Sequence, residues 1–198
     1  DSDVEDVIAL YNPVAIDLRF VLAMLKINTN LERLGDFAEG IARFVLKCEE
    51  PALDPDLLKH LRLEEMQGEV LSMLELAKRA LNEESIELAT SVFAKDNLLD
   101  EINAGATSVL AGYMKEHPES VLSCLNLVSV FRKLERSGDH ITNIAEEIVF
   151  FIDAKVLKHS GRDEQAFLTS LAGLILVLSW VLPYIYDLFL SIRQMFSL

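Results

Sequence analysis

Glu32 and Asp36 stand four residues apart within LERLGD (Leu31 to Asp36), and Glu135 and Asp139 repeat the spacing within LERSGD (Leu134 to Asp139). A third acidic pair at that spacing, Asp96 and Asp100, lies between them, with Glu101 adjacent. On a helix turning about 100° per residue, with Leu31 at zero, Glu32 falls near ~100°, Asp36 near ~140° and Glu39 near ~80°, so the three share one stripe. Like charges stacked in this way destabilise a helix unless a cation neutralises them. Two helices that each offer such a pair can converge four carboxylates on one spot. That all-oxygen set suits hard or borderline cations such as magnesium, manganese or iron, with zinc also open. One ExxxD in an acidic protein is usually a solvated face; two copies in register within a repeated helix point to a metal site at Glu32, Asp36, Asp96, Asp100, Glu135 and Asp139.

The residues around the acids bear on this reading. Gly35 and Gly138 recur at one position, where a helix-interior glycine costs about 1 kcal/mol relative to alanine, which suggests close helix approach beside the carboxylates. Arg33 and Arg136 lie about 100° round from Glu32 and Glu135 and could pair with a neighbouring carboxylate or face a partner, structural pairing being the expectation. His140 follows Asp139 directly but points about 100° away, so it is left out of the site. None of His60, His117, His140 and His159 has a glutamate three residues before it. A ferritin-like di-metal oxidase needs Glu-x-x-His, so no catalytic residue is assigned and the chain is not read as an enzyme.

The elements that would position these side chains are helices. Only 8 Gly and 5 Pro punctuate 198 residues, and apolar positions recur at steps of three and four almost throughout, so strands have little support. Asn12-Pro13 marks the entrance of a helix from Asp17 to about Cys48, with Met24, Ile27, Leu31, Leu34, Ala38, Ile41 and Val45 in a 4-3 stripe. The stripe returns 103 residues later as Leu127, Val130, Leu134, Ser137, Ile141, Ile144 and Ile148, helical from about Glu119 to Leu157. Between the copies, after a break at Pro51 to Pro55, two more helices are expected over Asp56 to Leu81 and Ser85 to Glu116, the latter stopped by His117-Pro118.

The fold expected is therefore all-α, a tandem repeat of two three-helix bundles followed by a C-terminal apolar helix. The first repeat, 1–50, has only its third helix and a stub, Asp1 to Leu10. The second, 51–160, is complete. A repeat that cannot close its own core should leave an apolar groove.

The formal net charge of -14, from 18 basic and 32 acidic residues, argues against nucleic acid and favours cations or basic partners. Cys48 and Cys124 lie in no metal or redox spacing and read as core thiols of a reduced compartment. No secretory signal is visible at DSDVEDVIAL, and the start reads as a cut inside a longer protein.

The tail, 161–198, changes character. Gln165 to Tyr186 carries no formal charge and is long enough to cross a bilayer, with Trp180, Tyr184 and Tyr186 near one end as an aromatic belt. Against a span stand Asp187, Arg193 and the kink of Pro183. A bilayer span, a buried or groove-filling helix and a sequencing artefact all stay open.

NPVAIDLR (Asn12 to Arg19), LKINTNLERLGDFAEGIA (Leu25 to Ala42) and LERSGDHITNIAEEI (Leu134 to Ile148) together strongly resemble the PhoU family, over about Asp1 to Gly161. The resemblance implies two tandem three-helix bundles acting as a cytoplasmic adaptor that negatively regulates phosphate uptake and phosphate-starvation signalling. It implies multinuclear metal clusters on ExxxD-type motifs, carried here by Glu32, Asp36, Glu135 and Asp139, with Asp96 and Asp100 matching the second-helix motif of the second repeat. It further implies a homodimer that contacts the phosphate-sensing histidine kinase and the ATPase of the phosphate ABC transporter. The apolar tail departs from the family pattern, and related domains attached to membrane sodium-phosphate cotransporters make a regulatory domain of a membrane phosphate transporter the alternative, with membrane contact through the tail.

Overall fold

The computed structural model describes residues 16–47, 54–158 and 185–191, all but a few of them helical and none in a strand. Helix α1 runs Ile16–Lys47, α2 Pro55–His60, α3 Leu63–Glu83, α4 Ile86–Glu116 and α5 Val121–Lys158. A single 3-10 turn, Pro118–Ser120, joins the last two. The expected Asp1 to Leu10 stub, Cys48, and the tail up to residue 184 lie outside the described residues.

Local chemistry sets the ends. Asp54 caps α2 by accepting from the backbone N–H of Asp56 at 3.0 Å, ahead of Pro55 in the first turn. Ser85 does the same for α4, accepting from the Leu88 N–H at 3.2 Å. At the far end, His117 closes α4 and Pro118, which cannot continue it, opens the 3-10 turn.

The helix expected over Asp56 to Leu81 is broken in two. Arg62 takes a left-handed backbone, φ 56°, unusual for a residue with a side chain. Its guanidinium is held by Glu65 at 2.7 and 2.8 Å and by Glu101 of α4 at 2.6 Å. A bidentate grip across the corner fixes the elbow between α2 and α3, and no turn residue in the sequence announces it.

The long α5 is the hub, packing on α1, α3 and α4, whereas α1 packs mainly on α5. Both stripes are the reason. Met24, Ile27, Leu31, Leu34, Ala38 and Ile41 on α1, and Leu127, Val130, Leu134, Ser137, Ile141, Ile144 and Ile148 on α5, are all buried. Ser137, the one polar member, is satisfied by donating its hydroxyl to the Lys133 carbonyl at 2.7 Å. Thus α3, α4 and α5 pack together as a three-helix bundle, and α1 lies along α5.

The repeated helices lie antiparallel. Lys26 Nζ bonds Glu147 at 2.8 Å, His140 Nδ1 donates to Asn30 Oδ1 at 2.7 Å, and the Lys133 stem lies over Gly40. As the α1 number rises its α5 partner falls, so LERLGD and LERSGD cross side by side at the middle of the contact.

The short helix 185–191 belongs to the tail. Ile185 and Phe189 are buried with the core, and Tyr186, Leu188 and Leu190 pack partly against it.

Candidate metal centre

Helices α4 and α5 bring two of the three acidic pairs together. Gly138 is the hinge of the geometry: a Cβ built there would stand 2.4 Å from Leu99 Cδ1 and 2.9 Å from Asp96 Oδ1. The α4 side chains therefore rest directly on the α5 backbone, one residue from Asp139 and three from Glu135. The close approach expected of this glycine is present.

Electrostatics show the four carboxylates acting on one another. Partial burial, then Asp139 and Asp100, push the Asp96 carboxyl up from its usual range. Partial burial, then Asp139 and Asp100, also push Glu135 up, with Asp96 adding and Arg136 opposing. Asp100 and Asp139 are exposed, so the cluster opens to solvent on one side. Among the described residues none of the four forms an ion pair. Lys95, adjacent to Asp96, turns instead to Glu69 at 3.0 Å.

The first-repeat pair is different. Glu32 and Asp36 are both exposed on α1. Asp36 pairs with Arg33 at 3.4 Å, and Glu39, on the same stripe, pairs with Arg43. Gly35 has nothing within 4 Å of a built Cβ, so the close approach expected there is not found among the described residues. Neither acid is among the charges that shift Glu135 or Asp96. The two LERxGD copies touch, yet they do not pool their carboxylates.

His140 is where the sequence reading stopped short. It has a structural place between the repeats, hydrogen-bonded to Asn30 and packed on Phe37 with ring centroids 5.5 Å apart. The only hint in the sequence is that an aromatic side chain fills the same slot of both copies.

The family model described as PhoU domain matches residues 1–45 and 63–148, spanning both repeated helices and the α3 to α5 bundle. The chain belongs to the PhoU family. It is 32% identical over 152 residues to the Thermotoga maritima phosphate-specific transport system accessory protein PhoU homolog 1, covering 77% of this chain and 65% of that protein. The Deinococcus radiodurans PhoU homolog is 33% identical over 146 residues, covering 74% and 67%. Escherichia coli PhoU is 31% identical over 158 residues, covering 80% and 64%. The chain thus spans about two thirds of the length of these curated relatives. A second family model, described as Stage III sporulation protein AC/AD protein family, matches residues 148–195, so the tail is similar to something other than PhoU.

In this PhoU chain the donor chemistry of the α4–α5 face fits a hard cation: four carboxylates, none of them in an ion pair among the described residues, with Arg136 only partly offsetting the repulsion at Glu135. Among the described residues no three acidic, His or Cys side chains are already gathered around one point. A bound ion would have to draw the two exposed members, Asp100 and Asp139, inward. Among the described residues no helix is long and apolar enough to cross a membrane.

Proposed function

We propose that this PhoU chain is a metal-binding regulatory adaptor that negatively regulates phosphate uptake and phosphate-starvation signalling. The observation that supports it most directly is the facing of Asp96 and Asp100 on α4 against Glu135 and Asp139 on α5 across the Gly138 contact. Its relatives are named accessory proteins of the phosphate-specific transport system. The partners are the phosphate-sensing histidine kinase and the transporter ATPase, met from the cytoplasm.

Within this reading each residue has a task. Asp96 and Glu135, partly buried, would be the fixed ligands, and Asp100 and Asp139 the adjustable ones. Gly138 keeps the helices close enough for both pairs to reach one ion. A bound iron, manganese, magnesium or zinc ion would neutralise the face and so convert a repelling helix pair into a cross-linked one. Glu32 and Asp36 would form half of a second site whose other half lies outside the described residues. No residue is assigned a catalytic step.

Two measurements test the proposal separately. Elemental analysis of the purified protein beside the Glu135→Ala, Asp139→Ala variant should show metal lost with the carboxylates; equal and negligible metal in both ends the metal claim. Expression in a host lacking its own PhoU should restore repression of a phosphate-starvation reporter in rich phosphate. A reporter that stays fully on, with the protein folded and abundant, ends the regulatory claim.

A further inference from the structure

The first half of α5 carries a second stripe, on the side away from the core. Leu122, Leu125, Ser129, Arg132 and Arg136 follow one another at steps of three and four, and all five are exposed. That spacing lines them up along one face over about 21 Å, at a rise of about 1.5 Å per residue. Cys124, Leu127, Phe131 and Leu134, interleaved with them, are buried. The inner stripe therefore builds the bundle, while the outer one faces solvent.

The chemistry changes along the outer stripe. Its first end is apolar, with Leu122 72% exposed and Leu125 55% exposed. Its other end is cationic. Among the described residues neither Arg132 nor Arg136 forms an ion pair, whereas Arg33, Arg43, Arg62 and Arg79 each hold a carboxylate. Lys133 adds charge at the middle, because its stem lies over Gly40 and its ammonium donates to Ser129 Oγ at 2.8 Å. Acidic residues outnumber basic ones by 32 to 18 in this chain, yet this face gathers arginines that none of those acids holds.

We infer that the outer stripe of α5 is the surface on which the adaptor receives a protein partner, and that the partner presents an amphipathic helix, apolar at one end and carrying carboxylates about 16 Å further along. The leucines would bury against the apolar end, and the two guanidinium groups would take the carboxylates in charge-assisted hydrogen bonds. Charge selects this occupant over two others. Two copies of the stripe laid together, parallel or antiparallel about Ser129, set arginine on arginine or arginine on leucine and supply no carboxylate. An anionic lipid surface would meet Asp139, the next exposed position of the stripe, on a chain of net charge -14. The inference rests on the reading of the chain as a regulatory adaptor and makes no use of the metal site.

The phosphate-starvation reporter in a host lacking its own PhoU tests it, with Arg132→Glu, Arg136→Glu and Leu122→Asp, Leu125→Asp as two separate double variants. Each should relieve repression by at least about tenfold, the scale of losing central anchors of an interface, while melting and metal content match the unmodified protein. Lys59→Glu, Lys115→Glu makes the same change of net charge at exposed lysines elsewhere and should leave repression intact. Host substitutions that restore repression to the arginine variant should exchange Asp or Glu for Lys or Arg. An unmodified protein that fails to repress overturns the adaptor reading and the stripe with it; full repression by the unmodified protein and by both stripe variants overturns the stripe alone. Equal loss in the lysine variant, or restoring substitutions that touch no carboxylate, would overturn it too. So would binding to phosphatidylglycerol vesicles, or self-association in sedimentation, that the unmodified protein shows and the arginine variant lacks, since these assign the stripe to lipid or to a second copy.

Discussion

Phe37 and His140 hold the same slot in the two copies of the repeated helix, 103 residues apart, and their rings pack with centroids 5.5 Å apart and planes inclined by 48°. Equivalent positions touch only where an axis relating the copies passes between them. The pair therefore marks a local two-fold relationship between α1 and α5, beside the two LERxGD motifs. Removing both rings by Phe37→Ala and His140→Ala in a double-mutant cycle should reveal a coupling of about 0.5–1.5 kcal/mol by denaturant unfolding. Additive losses would mean that the rings are neighbours without interacting.

His140 should also leave a pH signature. Burial above all, with Arg33 and Arg136 adding to it and Asp139 opposing, holds its imidazole below the ordinary value. A depressed folded value means that the contribution is complete above the unfolded pKa, near ~6.5, and is lost as pH falls through the folded one. Stability measured from pH 7.5 down to pH 5 should fall less steeply in His140→Ala than in the unmodified protein.

Gly138→Ala and Gly35→Ala should have opposite signs. At Gly138 the new methyl meets Leu99 and Asp96, and Leu99 is fully buried and cannot step aside, so a loss of about 1–3 kcal/mol is expected. At Gly35 the space is open and alanine should gain up to about 1 kcal/mol from helix propensity. Urea unfolding of the two variants compares them directly.

Charge removal should stabilise the metal-free protein. Asp96 and Glu135 have raised folded values, so their contribution is complete below the unfolded carboxylate pKa and is lost as pH rises through the folded one. At pH 7, in chelator, Glu135→Gln should therefore gain about 0.2–0.5 kcal/mol for each repulsion removed, the size of a stacked like-charge pair. The gain should fade as the pH drops toward 4, which a melting series across pH would reveal.

Metal should reverse that ranking. If the α4–α5 face binds manganese or iron, saturation at about a hundred times Kd raises the unfolding free energy by about 2.7 kcal/mol, and chelation removes the gain. A variant with Asp96, Asp100, Glu135 and Asp139 all changed to their amides should show no metal-dependent rise in Tm. The Glu32→Gln, Asp36→Asn variant should keep it.

Much of this architecture was legible because it rests on periodicity. The 4-3 stripes of α1 and α5, their repetition at 103 residues, and the stop at Pro118 are local patterns, and burial follows both stripes except at Val45, which is half-buried near the end of α1. The break at Arg62 was not legible, because it depends on a carboxylate, Glu101, that reaches it from another helix.

The acidic pairs divide in the same way. Their helical spacing, and hence the stacking of like charges on one face, is determined by the sequence alone, since a helix converts a separation of four into a shared side. Which pairs meet was decided by tertiary packing. Gly35 and Gly138 are the same residue in the same motif, yet only Gly138 has Leu99 and Asp96 pressed against it. A glycine permits close approach, but a neighbouring helix must supply the side chain that approaches.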